Sequence, residues 1–219
     1  MKIITLLTTF IFTAGFLFSQ DLTVKYEISM ESDDSDVQAQ LAMMQGSTLQ
    51  IYAKGKKSRT EMSMGGLMTT TTILDADKKK GVLIMDGMLG KQAAKFDEPT
   101  TEEADEENAD FEIEYVDETK KILGYTCKKA IVYTEDDLEF VYWYTEEFKV
   151  KDGVLGKYVK SGLPGLPLEF SIEQPQMTMV FTAIEFKEKV KETKGMFDTN
   201  IPEGYTEKSF EEISNMSGQ

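Results

Sequence analysis

The sequence predicts a mainly β protein: an antiparallel sheet that curls or closes around an apolar concave face, with one early helix and a short C-terminal helix. Three observations predict it. Short runs of alternating apolar and polar residues follow one another, separated by turn residues. Helical spacing is confined to one early stretch and the tail, so the strand–helix alternation of a parallel sheet is missing. No segment repeats at a period of roughly 20–50 residues, which sets aside solenoids and propellers. A sheet of many strands must curl or close to hide its apolar face.

Residues 1–19 carry the pattern of a secretory signal peptide: Lys2, an apolar run from Ile3 to Phe18, and the small Ser19. The run is shorter than the roughly 20 residues a membrane-spanning helix needs. Cleavage near Ser19/Gln20 is expected, and no cysteine stands there to be lipidated. The remainder, 20–219, is expected to form a single domain with no transmembrane span, located in the periplasm or secreted. Loss of Lys2 leaves 23 basic against 39 acidic residues, a net charge of −16. Such a chain is repelled by nucleic acid and by anionic lipid surfaces, and is open to a basic partner.

Along the chain, Leu22, Val24, Tyr26 and Ile28 alternate with polar residues and predict a half-buried strand. Val37, Leu41 and Met44 fall at helical spacing and predict a helix over about 35–45, capped by Ser35 or Asp36 and ended by Gly46. A hairpin follows, turning near Gly55, with Thr60, Met62 and Met64 on one face and Arg59, Glu61 and Ser63 on the other. "LMTTTTILDADKKKGVLIMDG" supplies two more strands turning at Asp77–Lys80. The acidic run 97–110 reads as a flexible loop, and its spacing fits no calcium loop. Strands are expected near 111–117, 124–134 and 138–145, with Asp136 and Asp137 in a turn, then over "LPLEFSIEQ" and "MTMVFTAIEFKEK". The tail has a Pro202–Gly204 turn and a last short helix.

The chemistry of the chain is sparse. Histidine is absent, which removes Ser-His-Asp and Cys-His pairs and histidine-bound zinc. No phosphate loop or dinucleotide fingerprint is present. The protein is therefore expected not to be an enzyme and to need no cofactor. The single cysteine, Cys127, cannot form an internal disulfide; it reads as a small buried apolar residue or as a reactive thiol beside Lys128 and Lys129. Methionine is frequent, 13 in all. Its flexible thioethers suit ordinary core filling, a pocket for varied apolar ligands, or a soft metal such as Cu(I).

Three segments then resemble known exported families. "SGLPGLPLEF" (161–170) resembles the signature of the GLPGLI family, with Pro167 in place of its final isoleucine. "ETKKILGYTCKKAIV" (118–132) followed by "VYWYTEEF" (141–148) resembles an exported domain family of unknown function with the fold of the lipoprotein carrier LolA. "MFDTNIPEGYTEKSFEEI" is similar to the closing segment of that fold. The resemblance covers most of 22–214 and implies a strongly curved, unclosed antiparallel half-barrel with helices over the mouth of an apolar cavity. A carrier of this kind relies on a cavity arginine; Arg59, the only arginine here, is a candidate for it.

The expected function is binding of a hydrophobic ligand (a lipid, an acyl chain or a lipidated protein) in that cavity. The alternative is a structural or protein-interaction module of the envelope with a filled core. The candidate ligand-binding residues are Met43, Met44, Arg59, Met62, Met64, Trp143, Leu163, Leu166, Met177, Met179 and Phe181. No metal-binding residues are expected. Pro164 and Pro167 stiffen the "GLPGLP" segment and Gly162 and Gly165 let it bend, so its leucines cover the rim of the hollow or simply complete the core.

Overall fold

The computed structural model of the chain describes residues 21–88, 90–97, 111–134, 139–148, 163–174 and 177–216. The leader, the acidic run beyond Asp97 and the Asp136–Asp137 turn lie outside the described residues. Among the described residues twelve strands form one sheet. They are β1 (Leu22–Glu31), β2 (Thr48–Lys54), β3 (Lys57–Met64), β4 (Met68–Asp75), β5 (Lys80–Gly87) and β6 (Gly90–Asp97). Then come β7 (Phe111–Ile122), β8 (Tyr125–Thr134), β9 (Glu139–Thr145), β10 (Leu166–Gln174), β11 (Met177–Lys187) and β12 (Thr206–Glu207). Helix α1 (Ser35–Leu41) runs into a 3-10 turn, Ala42–Met44, and helix α2 spans Phe210–Met216.

The spatial order is β12-β6-β5-β4-β3-β2-β1-β11-β10-β9-β8-β7. Two meanders, β1 to β6 and β7 to β11, are therefore joined where β11 returns beside β1. Every neighbouring pair is antiparallel except β12 with β6. The outer strands β7 and β12 do not meet, so the sheet is an open half-barrel.

The alternation that predicts the strands also sorts their faces. Leu22, Val24, Tyr26 and Ile28 are all buried on the inner face, with Leu49, Ile51, Met62, Met64, Phe170, Met179 and Phe181 in the same cluster. On the outer face Ile73, Val82, Ile84 and Ala93 are covered by the segment after β11, through Val190, Met196, Phe197 and Ile201. At the β5–β6 end of the inner face, Leu83, Met85 and Ala94 are covered by Ile213 of α2.

Three elements differ from the expectations. The cap of α1 is Asp34, whose Oδ1 accepts the Val37 N–H at 3.4 Å, rather than Ser35 or Asp36. Strand β6 has no counterpart in the sequence reading, because its buried side chains are only Ala93 and Ala94, on opposite faces. Strand β7 runs five residues past its expected end at 117, to Ile122, after a bulge between Val116 and Thr119. The expected turn after α1 is present, with Gly46 at φ 78°.

Candidate functional site

The inner face was expected to hold a ligand, and at its centre it is filled by the protein's own side chains. Met62, Met179 and Phe181 are 2 %, 1 % and 0 % exposed. Phe170 and Phe181 stack at 4.4 Å between ring centroids, 9° from parallel. The "GLPGLP" leucines belong to this packing. Leu163, Leu166 and Leu168 are all buried, and the Tyr26 hydroxyl donates to the Pro167 carbonyl at 2.8 Å. Gly165 lies so close to β9 that an added Cβ would stand 2.0 Å from the Thr145 carbonyl oxygen. The core-completing reading of this segment is the one the geometry supports.

Open space is found at one end of the half-barrel. A cleft of about 1050 Å³ lies between the last residues of β1, the α1 and 3-10 segment, and the start of β11. Ile28, Met30, Leu41, Met44 and Met177 give it an apolar floor. Glu27, Glu31, Asp33 and Asp34 are the charged residues that line it. Met44 packs on the inner core, and its carbonyl accepts from the Ser47 hydroxyl at 2.5 Å, which fixes the 3-10 turn against β2.

Two of the eleven candidate residues, Met44 and Met177, line this cleft. Met62, Met64, Leu163, Leu166, Met179 and Phe181 are core residues behind it. The remaining three lie elsewhere. Met43 points away and is 61 % exposed. Arg59 is on the outer face, where its Nε meets Glu61 Oε1 at 2.6 Å and its Nη1 donates to the Met196 carbonyl at 3.2 Å. It ties down the segment after β11 and is not a cavity arginine. Trp143 is on the outer face of β9, opposite Glu169 in register, with Lys120 Nζ 4.3 Å from its ring centroid and Lys129 Nζ at 5.8 Å. Lys120 also pairs with Glu169.

Sequence reasoning missed Ile28, Met30 and Leu41 as site residues. The signal was present: Met30 continues the phase of Tyr26 and Ile28, and Leu41 shares the helix stripe with Val37.

The chemical inventory of the structure is correspondingly mild. Cys127 is buried, its Sγ donates to the Tyr125 carbonyl at 3.9 Å, and burial pushes its thiol above the ordinary value. Burial likewise pushes the Tyr26 phenol up. Among the described residues no group of three or more cysteines and carboxylates is placed to hold a metal ion. No described helix is long and apolar enough to cross a membrane.

The family described as N-glycanase peptide, N-terminal domain, matches residues 92–200, just under half of the chain. The GLPGLI likeness stays a resemblance of the 161–170 motif. No curated protein matches the sequence. Among solved structures, PNGF-II is similar at a TM-score of 0.47 and 15% identity, covering 90% of this chain and 33% of its own. The chain thus spans about a third of the length of PNGF-II. The Mycobacterium tuberculosis lipoprotein LppX is similar at a TM-score of 0.37 and 8% identity, covering 87% of this chain and 95% of its own. A beta-barrel-like protein of a domain of unknown function from Brucella abortus gives 0.40 and 8%, covering 80% and 100%.

Proposed function

We propose that the chain is an exported, non-enzymatic binding domain that seats the apolar part of its ligand in the cleft at the mouth of the half-barrel. One observation carries this reading. The apolar side chains of the cleft floor, Met30 and Met44 above all, have open space in front of them, whereas the inner face behind them is packed. An acyl chain, a lipid or a lipidated protein would bury part of that floor, at about 25 cal/mol per Å² of apolar surface removed from water. Methionines line the floor from β1, the 3-10 turn and β11, and unbranched thioethers adapt to ligands of differing shape. The leader pattern at 1–19 supports the exported part of this reading. The non-enzymatic reading rests on the absence of histidine and on a single thiol that burial keeps protonated.

Native mass spectrometry of the protein exported to a bacterial periplasm, before and after organic extraction, tests the proposal. A discrete extractable mass, or uptake of added fatty acid or phospholipid, is the expected result. A bare mass that takes up neither contradicts it.

The full burial of Met62, Met179 and Phe181 favours a second reading, an envelope interaction module with a filled core. That module would hold no extractable lipid and would bind a specific protein partner.

A further inference from the structure

Strand β1 is longer than the strand that covers it on one side. Its pairing with β11 runs on to Glu31, opposite Thr178. Its pairing with β2 stops at Glu27, opposite Thr48. One more bond follows, from the Ile28 N–H to the Ser47 carbonyl at 2.9 Å, and the chain then leaves through Gly46. Backbone groups alternate between the two sides of a strand. Met30, two residues past Ile28, therefore directs its N–H and C=O to the side that β2 has left. Beyond Ser47 no described residue pairs with the Met30 backbone on that side; two residues on, the Ser32 carbonyl accepts from Gln38 Nε2 at 2.7 Å, so the free stretch of edge is Met30. The cleft lies along it, lined by the chain from Glu27 to Asp34.

The charge around the cleft is one-sided. Among the described residues no lysine or arginine lines it. Some surface carboxylates elsewhere are matched, as in Lys54–Glu192, Lys80–Asp97 and Lys128–Glu146. Glu27, Glu31 and Asp33 have no ion pair among the described residues.

We infer that the cleft takes an extended polypeptide segment carrying lysine or arginine, added as a strand to the free edge of β1. This rests on the cleft being the binding site. An acyl chain satisfies no backbone donor or acceptor, whereas an added strand meets those of Met30. Side chains of an extended segment alternate sides, so apolar residues settle on Leu41, Met44 and Met177 while basic ones reach the carboxylates.

Calorimetric titration with four probes tests the inference: a capped heptapeptide alternating leucine and lysine, the same peptide N-methylated at alternate backbone nitrogens, a leucine–glutamate version, and dodecanol. The leucine–lysine peptide binds. Its N-methylated form, equal in charge, binds at least about tenfold more weakly, the loss of one or two backbone hydrogen bonds. The leucine–glutamate peptide does not bind, and the double variant Glu31→Gln, Asp33→Asn weakens the first peptide several-fold. Equal binding of the methylated and unmethylated peptides would reduce the effect to charge attraction and overturn strand addition. Dodecanol binding without peptide binding overturns the inference and leaves the apolar seat standing. If no probe binds, both fall.

Discussion

The Tyr26 hydroxyl and the Pro167 carbonyl, 141 residues apart in the chain, meet at 2.8 Å in the centre of the protein. Both are shut away from water, and the Tyr26 ring stands edge-on to Phe170 at 5.5 Å. Proline has no N–H of its own, so this bond is one of the few ways the broken "LPGLP" segment is tied to β1. Replacing Tyr26 by Phe keeps the ring and leaves a buried carbonyl unsatisfied. Such a loss costs about 1–3 kcal/mol. Urea unfolding should show a lower midpoint at an unchanged slope; an unaltered midpoint would mean that another donor reaches Pro167.

Gly165 is predicted to be intolerant of even one methyl group. A Cβ there would meet the Thr145 carbonyl at 2.0 Å, and that oxygen belongs to the backbone of β9 and cannot swing aside. Gly165→Ala should destabilise by about 1–3 kcal/mol or more, as overpacking does. Calorimetric melting of the variant checks this, and an unshifted melting temperature would contradict the close approach.

Helix α2 should loosen in acid. The Ser209 N–H donates to Glu212 Oε2 at 2.8 Å while the Glu212 N–H donates to Ser209 Oγ at 3.1 Å, a reciprocal capping box. The Ser209 backbone bond, then Lys208 and the Ser209 side chain, hold the Glu212 carboxyl below its ordinary value. A depressed carboxyl adds stability that is present above its unfolded value, about 4.3, and lost as pH falls through the folded value beneath it. Amide exchange of α2 should quicken between pH 5 and 3 relative to β3, once corrected for intrinsic rates. Glu212→Gln should abolish that difference; its persistence in the variant would assign the effect elsewhere.

Cys127 should be inert in the native state. Burial raises its thiol and closes it off from solvent. Iodoacetamide should label it at the rate of unfolding, so that labelling accelerates with urea. Fast labelling in native buffer would contradict the packing of β8.

Period-two alternation made most of the sheet legible in the sequence. The faces of β1, β3 and β11 follow it residue by residue, from Val24 to Ile28, Ser58 to Met64 and Met177 to Ala183. The same phase already parts Arg59 from Met62, so a single cavity lined by both conflicts with their own alternation. Strand β6 escaped because two alanines carry its burial, and alanine marks neither face. The cleft was out of reach for a different reason. It arises where β1 outruns β2 but not β11, a mismatch between two pairings that the sequence of β1 alone does not encode.

The central claim is that a ligand sits at the mouth, over Met30, Met44 and Met177, and not inside the sheet against Met62 and Met179. Methionine methyl groups report on both places at once. We would record their NMR signals, assigned by single Met→Leu variants, while titrating a nitroxide-labelled acyl chain. The account predicts broadening of Met30, Met44 and Met177 with Met62 and Met179 left sharp. Broadening led by Met62 and Met179 would contradict it, and would mean that the packed interior opens to take the ligand.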